Sequence, residues 1–429
     1  MTKVGVALVG FGTIGTGVLE ILQSNRELIQ NRTGVDIQLK YIVDIDIKTP
    51  RRVMPDSSVK MTTDYKVALK DPDVEIIIEL VGGTGFALQL VEETLRAGKN
   101  VVTANKALLA EKADVVFGLR NEVGKVIGFE GSVAGGIPII RTVTNALAAD
   151  NITALYGIVN GTTNYILTKM SEEKMDFKTA LGQAQELGFA EADPTLDIGG
   201  FDAAHKIAIL GALAFNCPVP YQQVYVEGID SVDLIDINYA AQMGYVLKLI
   251  GIARIDADER VEFRVHPTLL PEKHQLAAIR NEYNAIMIES KYLGTSLYYG
   301  RGAGSRPTAT AVMADIISIG RSLDNPERSS KYQNFNNYPV KPMGDVESRY
   351  YLRFNVRDQV GVLSGISGIF SEYSISISSV VQHETKTGDH VPLILTTHRA
   401  KESNILSALE RIEKLEYSNG RGIMIRILD

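Results

Sequence analysis

Tryptophan is absent from the 429 residues, and cysteine occurs once, at Cys217. A single thiol cannot close an internal disulfide. That excludes the stapled frameworks of small secreted domains and suits a reducing cytoplasm. Missing too is any excess of positive charge: 44 Lys and Arg face 51 Asp and Glu, a formal net charge of −7. Without a basic stripe or aromatics interleaved with basic residues, nucleic acid is not an expected partner. The amino terminus MTKVGVALVGFG is apolar but soon broken by glycine. It lacks both the length of a membrane span and a signal-peptide cleavage pattern, so a cytoplasmic protein with no membrane partner is expected. Solenoid repeats and low-complexity tracts are lacking as well.

What is present is ample apolar content, 45% of residues, on a chain long enough for two or three domains. Residues 1–150 alternate short β-branched runs (KVGVALVG, QLKYIVDID, VEIIIELVGG, VVTANK) with helical patterns. That rhythm predicts βαβ units, an α/β domain with a parallel sheet of Rossmann type. In residues 151–321, TALYGIVNGTTNYILTKM reads as a strand running into a helix, and VEFRVHPTLLP and YNAIMIESKYLG as strands. An α+β domain is expected there. Residues 322–346 turn polar and proline-bearing, as a linker does. Residues 347–429 read strand, helix, strand, strand, helix, strand, the βαββαβ order of a ferredoxin-like unit.

Chemistry first shows in GFGTIG, where Gly10, Gly12 and Gly15 stand in G-x-G-x-x-G spacing between the first strand and its helix. Such a loop, here completed by Phe11, Thr13 and Ile14, lets the backbone approach a pyrophosphate that the helix amino terminus then holds. The second strand ends in YIVDIDIKTPRR, and its signals conflict. Asp44 suits the ribose hydroxyls of NAD, although it lies further than the usual ~20 residues beyond the loop, while Arg51 and Arg52 suit the extra phosphate of NADP. A solvated loop is an equally good reading of the two arginines.

Lys106, in VVTANK, follows a strand at the carboxyl edge where parallel sheets bind ligands, though helix-start lysines are commonly just solvated. Glu130 stands beside the glycine-rich turn of GFEGSVAGGIP, where a carboxylate and exposed carbonyls can surround a hard cation; a plain tight turn is the simpler alternative. In EADPTLDIGGFDAAHKIAIL, Asp202, Lys206, Ile209 and Leu213 share one stripe of a helix whose other faces are mostly apolar. A solvated Asp–Lys pair at this spacing contributes only ~0.3 kcal/mol. With apolar neighbours all round, burial is expected, and a buried lysine is a candidate acid or base. Glu191, Asp193, Asp197 and Asp202 precede Lys206 closely enough either to receive an ammonium or to cap helices.

In this order, GFGTIG, TANK, EGSVAGGIP, GTTNYIL, ELGFAEADPTLDIGGFDAAHKIAIL and GRGAGSRPTA resemble homoserine dehydrogenases across nearly the whole chain, and VRDQVGVLSGISGIFSEYSISI is similar to an ACT domain, an amino-acid-sensing module. The resemblance implies NAD(P)-dependent interconversion of L-homoserine and L-aspartate 4-semialdehyde, on the path to threonine, methionine and isoleucine. It puts the family's catalytic lysine on Lys206 and its second lysine, near nicotinamide and substrate, on Lys106. The substrate-binding carboxylates fall on Glu191 and Asp202. A monovalent cation, sodium, falls on Glu130 with the backbone oxygens of Val133, Gly135 and Ile137, and further cofactor contacts fall on Gly188 and Gly304. It also implies a homodimer or homotetramer, and threonine as effector near Asp358 and Gly361, with a dimerisation module that has lost its sensing as the alternative for that unit. Many NADP-using members carry arginine where this chain has Asp44, which keeps NAD use open.

Two rivals are set against this reading. Aspartate-semialdehyde dehydrogenase shares the metabolite but needs a thiol nucleophile, and Cys217, followed by proline after an apolar helix, reads as packing. The second rival is a non-catalytic sensor of nucleotide and amino acid.

Overall fold

The first strand, β1 (Thr2–Val9), is buried at every position from Val4 onward, as a parallel strand covered on both faces must be. Its side chains divide with the two-residue period of a strand. Val4, Val6 and Leu8 enter one core layer, and Ala7 and Val9 the opposite one. The computed structural model in which this is seen describes residues 1–323, 336–382 and 390–428.

Around β1 runs a six-stranded parallel sheet of order β3-β2-β1-β4-β5-β6, with β2 (Val35–Val43), β3 (Lys60–Thr62), β4 (Ile76–Glu79), β5 (Asn100–Thr103) and β6 (Ile127–Gly128). The helices of this region are α1 (Thr13–Thr33), α2 (Tyr65–Lys70), α3 (Phe86–Arg96), α4 (Lys106–Glu111), α5 (Ala113–Val123) and the short turn α6 (Ile139–Arg141). Strand order reverses between β1 and β4, so the crevice at their carboxyl ends is where ligands of such sheets bind. The α/β fold class expected from the sequence is the one found.

The chain divides into two compact units, each discontinuous in sequence: Met1–Gly161, Asp202–Val224 and Tyr283–Asn337 form one, and Thr162–Phe201, Tyr225–Glu282 and Tyr338–Asp429 the other. The first unit adds to its parallel sheet an antiparallel ladder in which β11 (Tyr283–Ser290) pairs with both β7 (Ile152–Ile158) and β12 (Gly294–Arg301). It also contains most of α10 (Phe201–Ala214) and the long α12 (Ser305–Ser322). Helix α12 returns to the parallel sheet. Its Ala309, Val312, Met313, Ile316 and Ile319 share a core with Val18, Leu19 and Leu22 of α1. The sequence division into residues 1–150 and 151–321 does not anticipate that return, because nothing local records which sheet a helix will cover.

The second unit holds α7 (Gly161–Glu172, from Thr162), α8 (Phe177–Glu186), α9 (Thr195–Ile198), β8 (Tyr225–Val226), α11 (Leu234–Gln242), β9 (Tyr245–Ile255) and β10 (Val261–Pro271). Then come β13 (Glu347–Arg357), α13 (Val362–Glu372), β14 (Ile377–Gln382), β15 (His390–Thr397), β16 (Ala400–Lys401), α14 (Glu402–Glu413) and β17 (Ile423–Ile427). Apart from the two-residue β16, these follow the predicted βαββαβ order, with sheet order β17-β13-β15-β14. The unexpected feature is the junction. Strand β17 also pairs in parallel with β10, Thr268 opposite Arg426, so this sheet continues into the β9–β10 ladder.

Part of the expected linker, residues 324–335, lies outside the described residues, as do residues 383–389 at the end of a predicted strand. Beyond that stretch Asn336 donates to the carbonyls of Phe215 and Asn216, and Val340 bridges Val261. Among the described residues, no helix is long and apolar enough to cross a membrane.

Candidate active site

The three loop glycines of GFGTIG are required for different reasons. Gly10 has φ 101°, and a Cβ there would lie 2.6 Å from the Leu80 backbone; one on Gly15 would lie 2.3 Å from the Gly10 carbonyl. Nothing stands within 4 Å of the position a Gly12 Cβ would take. The first glycine thus makes the turn, the third lets helix meet strand, and the second leaves open space at the amino terminus of α1, the division of labour of a pyrophosphate loop. The space belongs to a cavity of about 880 Å³ lined by Gly12, Thr13, Arg51, Arg52, Arg301 and Gly304, among others. Gly304 caps α12, so two helix amino termini with their free N–H groups border one arginine-rich pocket. Ser305 Oγ donates to the Thr13 carbonyl at 2.6 Å and holds the two together.

Asp44 is engaged at both oxygens, by the Phe11 N–H at 2.6 Å and the Asp46 N–H at 2.9 Å. It therefore pins the glycine loop. Arg51 is half-buried beside Asp46, and its Nε is buried without an acceptor; Arg52 and Arg306 share Glu20. An anion arriving here meets an orphaned donor and a local surplus of guanidinium, which fits a phosphate-bearing cofactor.

The predicted burial of Lys206 is observed: it is 8% exposed. Its ammonium donates to the Val159 carbonyl at 2.6 Å and to Asp202 Oδ2 at 2.7 Å. Asp202 Oδ2 also accepts from Asn160 Nδ2 at 2.8 Å, while Oδ1 pairs with Lys106 Nζ at 2.6 Å. One buried carboxylate thus bridges the two candidate lysines. Burial alone would raise the Asp202 pKa, but the Lys206 and Lys106 ammoniums outweigh it and hold the carboxyl well below its usual range. Lys106 reaches the bridge because Asn105 caps α4, its side chain accepting from the Leu108 N–H and donating to the Gly83 carbonyl. Glu111 Oε1 of α4 stands 3.7 Å from His205 Nε2 of α10, which has no hydrogen-bond partner among the described residues, and Tyr221 packs on the imidazole.

Glu130 is 2% exposed and accepts from the backbone N–H groups of Ile140 and Arg141. Burial, with Asp315 nearby, pushes its pKa up to about 7. Arg141 pairs with Asp315 at 2.8 Å, so two buried carboxylates share one guanidinium and negative charge is in surplus. Next to them the chain curls back, with φ 52° at Ala134 and 38° at Gly135, through Val133 and Ile137. Among the described residues no three His, Cys, Asp or Glu side chains gather as a metal site. One carboxylate with peptide carbonyls suits a hard monovalent cation.

Glu191 and Gly188 lie in the second unit, on the segment between α8 and α10. Glu191 is exposed, its carbonyl accepting from Gln185, and Gly188 has φ 74°. Asp193 caps Thr195 and Asp197 accepts from Thr162, so these two carboxylates serve the local fold. Cys217 is buried. Gly361 opens α13 with φ 95°, and Asp358 precedes it. Sequence reasoning missed Asn160, His205, Glu111 and Asp315. Asn160, in VNGTTN directly after a predicted strand, was the one open to detection, as a polar residue at a strand end.

Similarity to known proteins follows the same map. A family profile described as "Homoserine dehydrogenase, NAD binding domain" matches residues 10–129, one described as "Homoserine dehydrogenase" matches residues 138–317, and "ACT domain" matches residues 350–417. The homoserine dehydrogenase of Pseudomonas aeruginosa is 39% identical over 434 residues, covering 100% of this chain and 99% of the relative. That of Bacillus subtilis is 39% identical over 422 residues, 97% of this chain and 96% of the relative. A crystal structure of a homoserine dehydrogenase from Thiobacillus denitrificans superposes with TM-score 0.95 at 39% identity, covering 100% and 99% of the two chains. A hyperthermophilic archaeal homoserine dehydrogenase in complex with NADPH gives TM-score 0.62 at 27% identity, over 74% of this chain and 97% of that one.

Proposed function

The chain belongs to the homoserine dehydrogenase family of oxidoreductases, and we propose that it interconverts L-homoserine and L-aspartate 4-semialdehyde in the cytoplasm, on the route to threonine, methionine and isoleucine. What carries the reading is the Asp202 carboxylate gripped by both lysines. Lys206 exchanges the hydroxyl proton, donating it to the carbonyl oxygen in the reductive direction. Lys106, more exposed, polarises that oxygen and would adjoin the nicotinamide when the cofactor is bound. Glu191 and Asp202 receive the substrate's ammonium, and Asp202 has the further task of aligning the two lysines. The nicotinamide cofactor, when bound, supplies or accepts the hydride. Gly10 to Gly15, Arg51, Gly188 and Gly304 would hold it, on a loop that Asp44 pins. With Asp44 occupied by peptide N–H groups and arginines around the pocket, we expect NADP to be preferred over NAD.

Initial rates with each cofactor, with and without millimolar threonine, test activity, cofactor choice and regulation together. Turnover followed by the near-ultraviolet absorbance of reduced nicotinamide is expected, with higher kcat/KM for NADP and inhibition by threonine through the residues around Asp358 and Gly361. No turnover with either cofactor, in protein shown to be folded, returns the sensor reading. A dimer or tetramer is part of the proposal. It is supported by the edge strand β12 and its preceding turn, where Tyr292, Leu293 and Tyr299 are exposed.

We place sodium at Glu130 with the carbonyls of Val133, Gly135 and Ile137, where its charge would steady the turn. The test needs no catalysis. Because the folded carboxyl keeps its proton to higher pH than the unfolded one, the folded state binds more protons between pH 4.5 and about 7. Stability therefore falls as pH rises through that window, by about 3 kcal/mol in all, unless a cation replaces the proton. At a pH above the window, sodium in place of tetramethylammonium should raise the unfolding temperature, and below the window it should not. Glu130→Gln should abolish the difference; a sodium effect that survives the substitution places the ion elsewhere.

A further inference from the structure

In the second unit a cleft of about 210 Å³ opens between α7, α11 and β9, and its polar groups are unevenly satisfied. Lys248 lines it and is 2% exposed. Its ammonium donates to Asn164 Oδ1 at 2.9 Å and to the Ile279 carbonyl. Both acceptors are neutral, an ammonium has three protons to give, and among the described residues no carboxylate forms an ion pair with it. Burial lowers its pKa to about 8, and the more distant Glu172 carboxylate only partly offsets that. Ser171 also lines the cleft, and its hydroxyl is buried without a hydrogen-bond partner. Buried polar groups in native proteins are nearly always satisfied, so an orphan hydroxyl beside an ammonium that touches only neutral acceptors points to an absent partner. The rim carries the opposite sign: exposed Glu272, and Glu172 paired with Arg280 at 2.6 Å.

We propose that this cleft binds a small α-amino acid, its carboxylate against Lys248 and Ser171 and its ammonium toward Glu172 and Glu272. With Glu172 and Glu272 against the one guanidinium of Arg280, the mouth is net negative above a cationic floor, an order that matches a zwitterion entering carboxylate first. The volume is several times the ~30 Å³ share of one water, room for a small side chain against the apolar wall of Ile237 and Ala277. Helix α11, which forms that wall, is fastened to β13 through Asp236, which pairs with Arg353 at 2.6 Å and accepts from the Tyr351 hydroxyl. An occupant therefore presses on an element tied to the C-terminal sheet.

Calorimetric titration of the full chain with L-alanine, L-serine and L-threonine, and with acetate and inorganic phosphate as anion-only probes, tests the site. At least one amino acid should bind, more tightly than acetate or phosphate. Lys248→Met should weaken that binding about tenfold or more, the usual worth of a charge-assisted hydrogen bond, and Ser171→Ala should weaken it less. Asp358→Ala, which removes only effector binding at α13, should leave in place the part of the heat that depends on Lys248. The proposal is overturned by no heat from any of the amino acids, by phosphate binding more tightly than all of them, or by loss of the Lys248-dependent heat in Asp358→Ala. Binding indifferent to both Lys248→Met and Ser171→Ala overturns it too. If Lys248→Met does not fold, Ser171→Ala, which removes only a hydroxyl, decides alone.

Discussion

Lys206→Ala is expected to bind cofactor normally and to lose about 100- to 10,000-fold in kcat, the range of general acid–base catalysis. The prediction is specific because Lys206 is held from three sides. The apolar run of α10 buries its stem, the Val159 carbonyl accepts one hydrogen bond, and Asp202 accepts another. Among the described residues, the neighbouring candidates are poorly placed to inherit the task. Lys106 is fixed to the other oxygen of Asp202, and burial lowers the His205 pKa, so that imidazole is a poor source of a proton. The measurement is kcat together with cofactor affinity by fluorescence titration. A near-normal kcat, or a parallel collapse of cofactor binding, would remove Lys206 from the acid–base role.

Arg426→Met should destabilise the second unit by about 3–5 kcal/mol, the usual consequence of leaving a buried ion without its partner. Arg426 is 1% exposed. It donates to Glu402 through Nε and Nη2, to Glu227 at 2.7 Å and to the Tyr225 hydroxyl at 3.0 Å, with its guanidinium over the Tyr225 ring. Burial disfavours its charge, but the Glu402 carboxylate more than compensates and keeps it protonated. The residue sits where β17 meets β10, so its loss leaves Glu402 unpaired inside the seam. Calorimetric unfolding should show the loss in the single variant, and Arg426→Met combined with Glu402→Leu should recover much of it, since an apolar pair of similar volume is tolerated. Equal stability of the single variant and the parent would mean that the ion cluster contributes little.

Both residues show what a sequence can and cannot disclose. The parallel sheet, the glycine loop and the βαββαβ order were legible because they rest on local patterns: alternation, turn residues, and helix starts within a few positions. Lys206 stood out for a similar reason, a charge set in an apolar stripe. Its partnership with Lys106 did not, since the bridge depends on α4 and α10 lying side by side in space. Strand β9 was hidden because YVLKLIGIARI is apolar almost throughout and reads as buried helix or strand alike; Lys248 in its middle was hidden with it. Strands β3 and β8 have three and two residues, too few for any period to register. The junction of β17 with β10 left no trace, because parallel pairing between distant segments has no local signal. Asp44 was readable as a carboxylate at a strand end, but its bond to the Phe11 N–H belongs to three-dimensional geometry alone.

The return of α12 to the parallel sheet bears on how the chain is made. A ribosome releases β1 to β6 long before Ser305 appears. Until it does, Val18, Leu19 and Leu22 lack the Val312, Met313 and Ile316 side chains that complete their layer. The nascent cofactor-binding region must wait with an apolar flank open, through synthesis of the whole intervening segment, and such exposure invites aggregation or chaperone capture. Closing that gap late joins residues far apart in the chain, which makes for slow folding. Under the proposed assignment of Gly304, at the head of the same helix, to the cofactor, cofactor binding becomes a sign that synthesis has passed the point of structural completion.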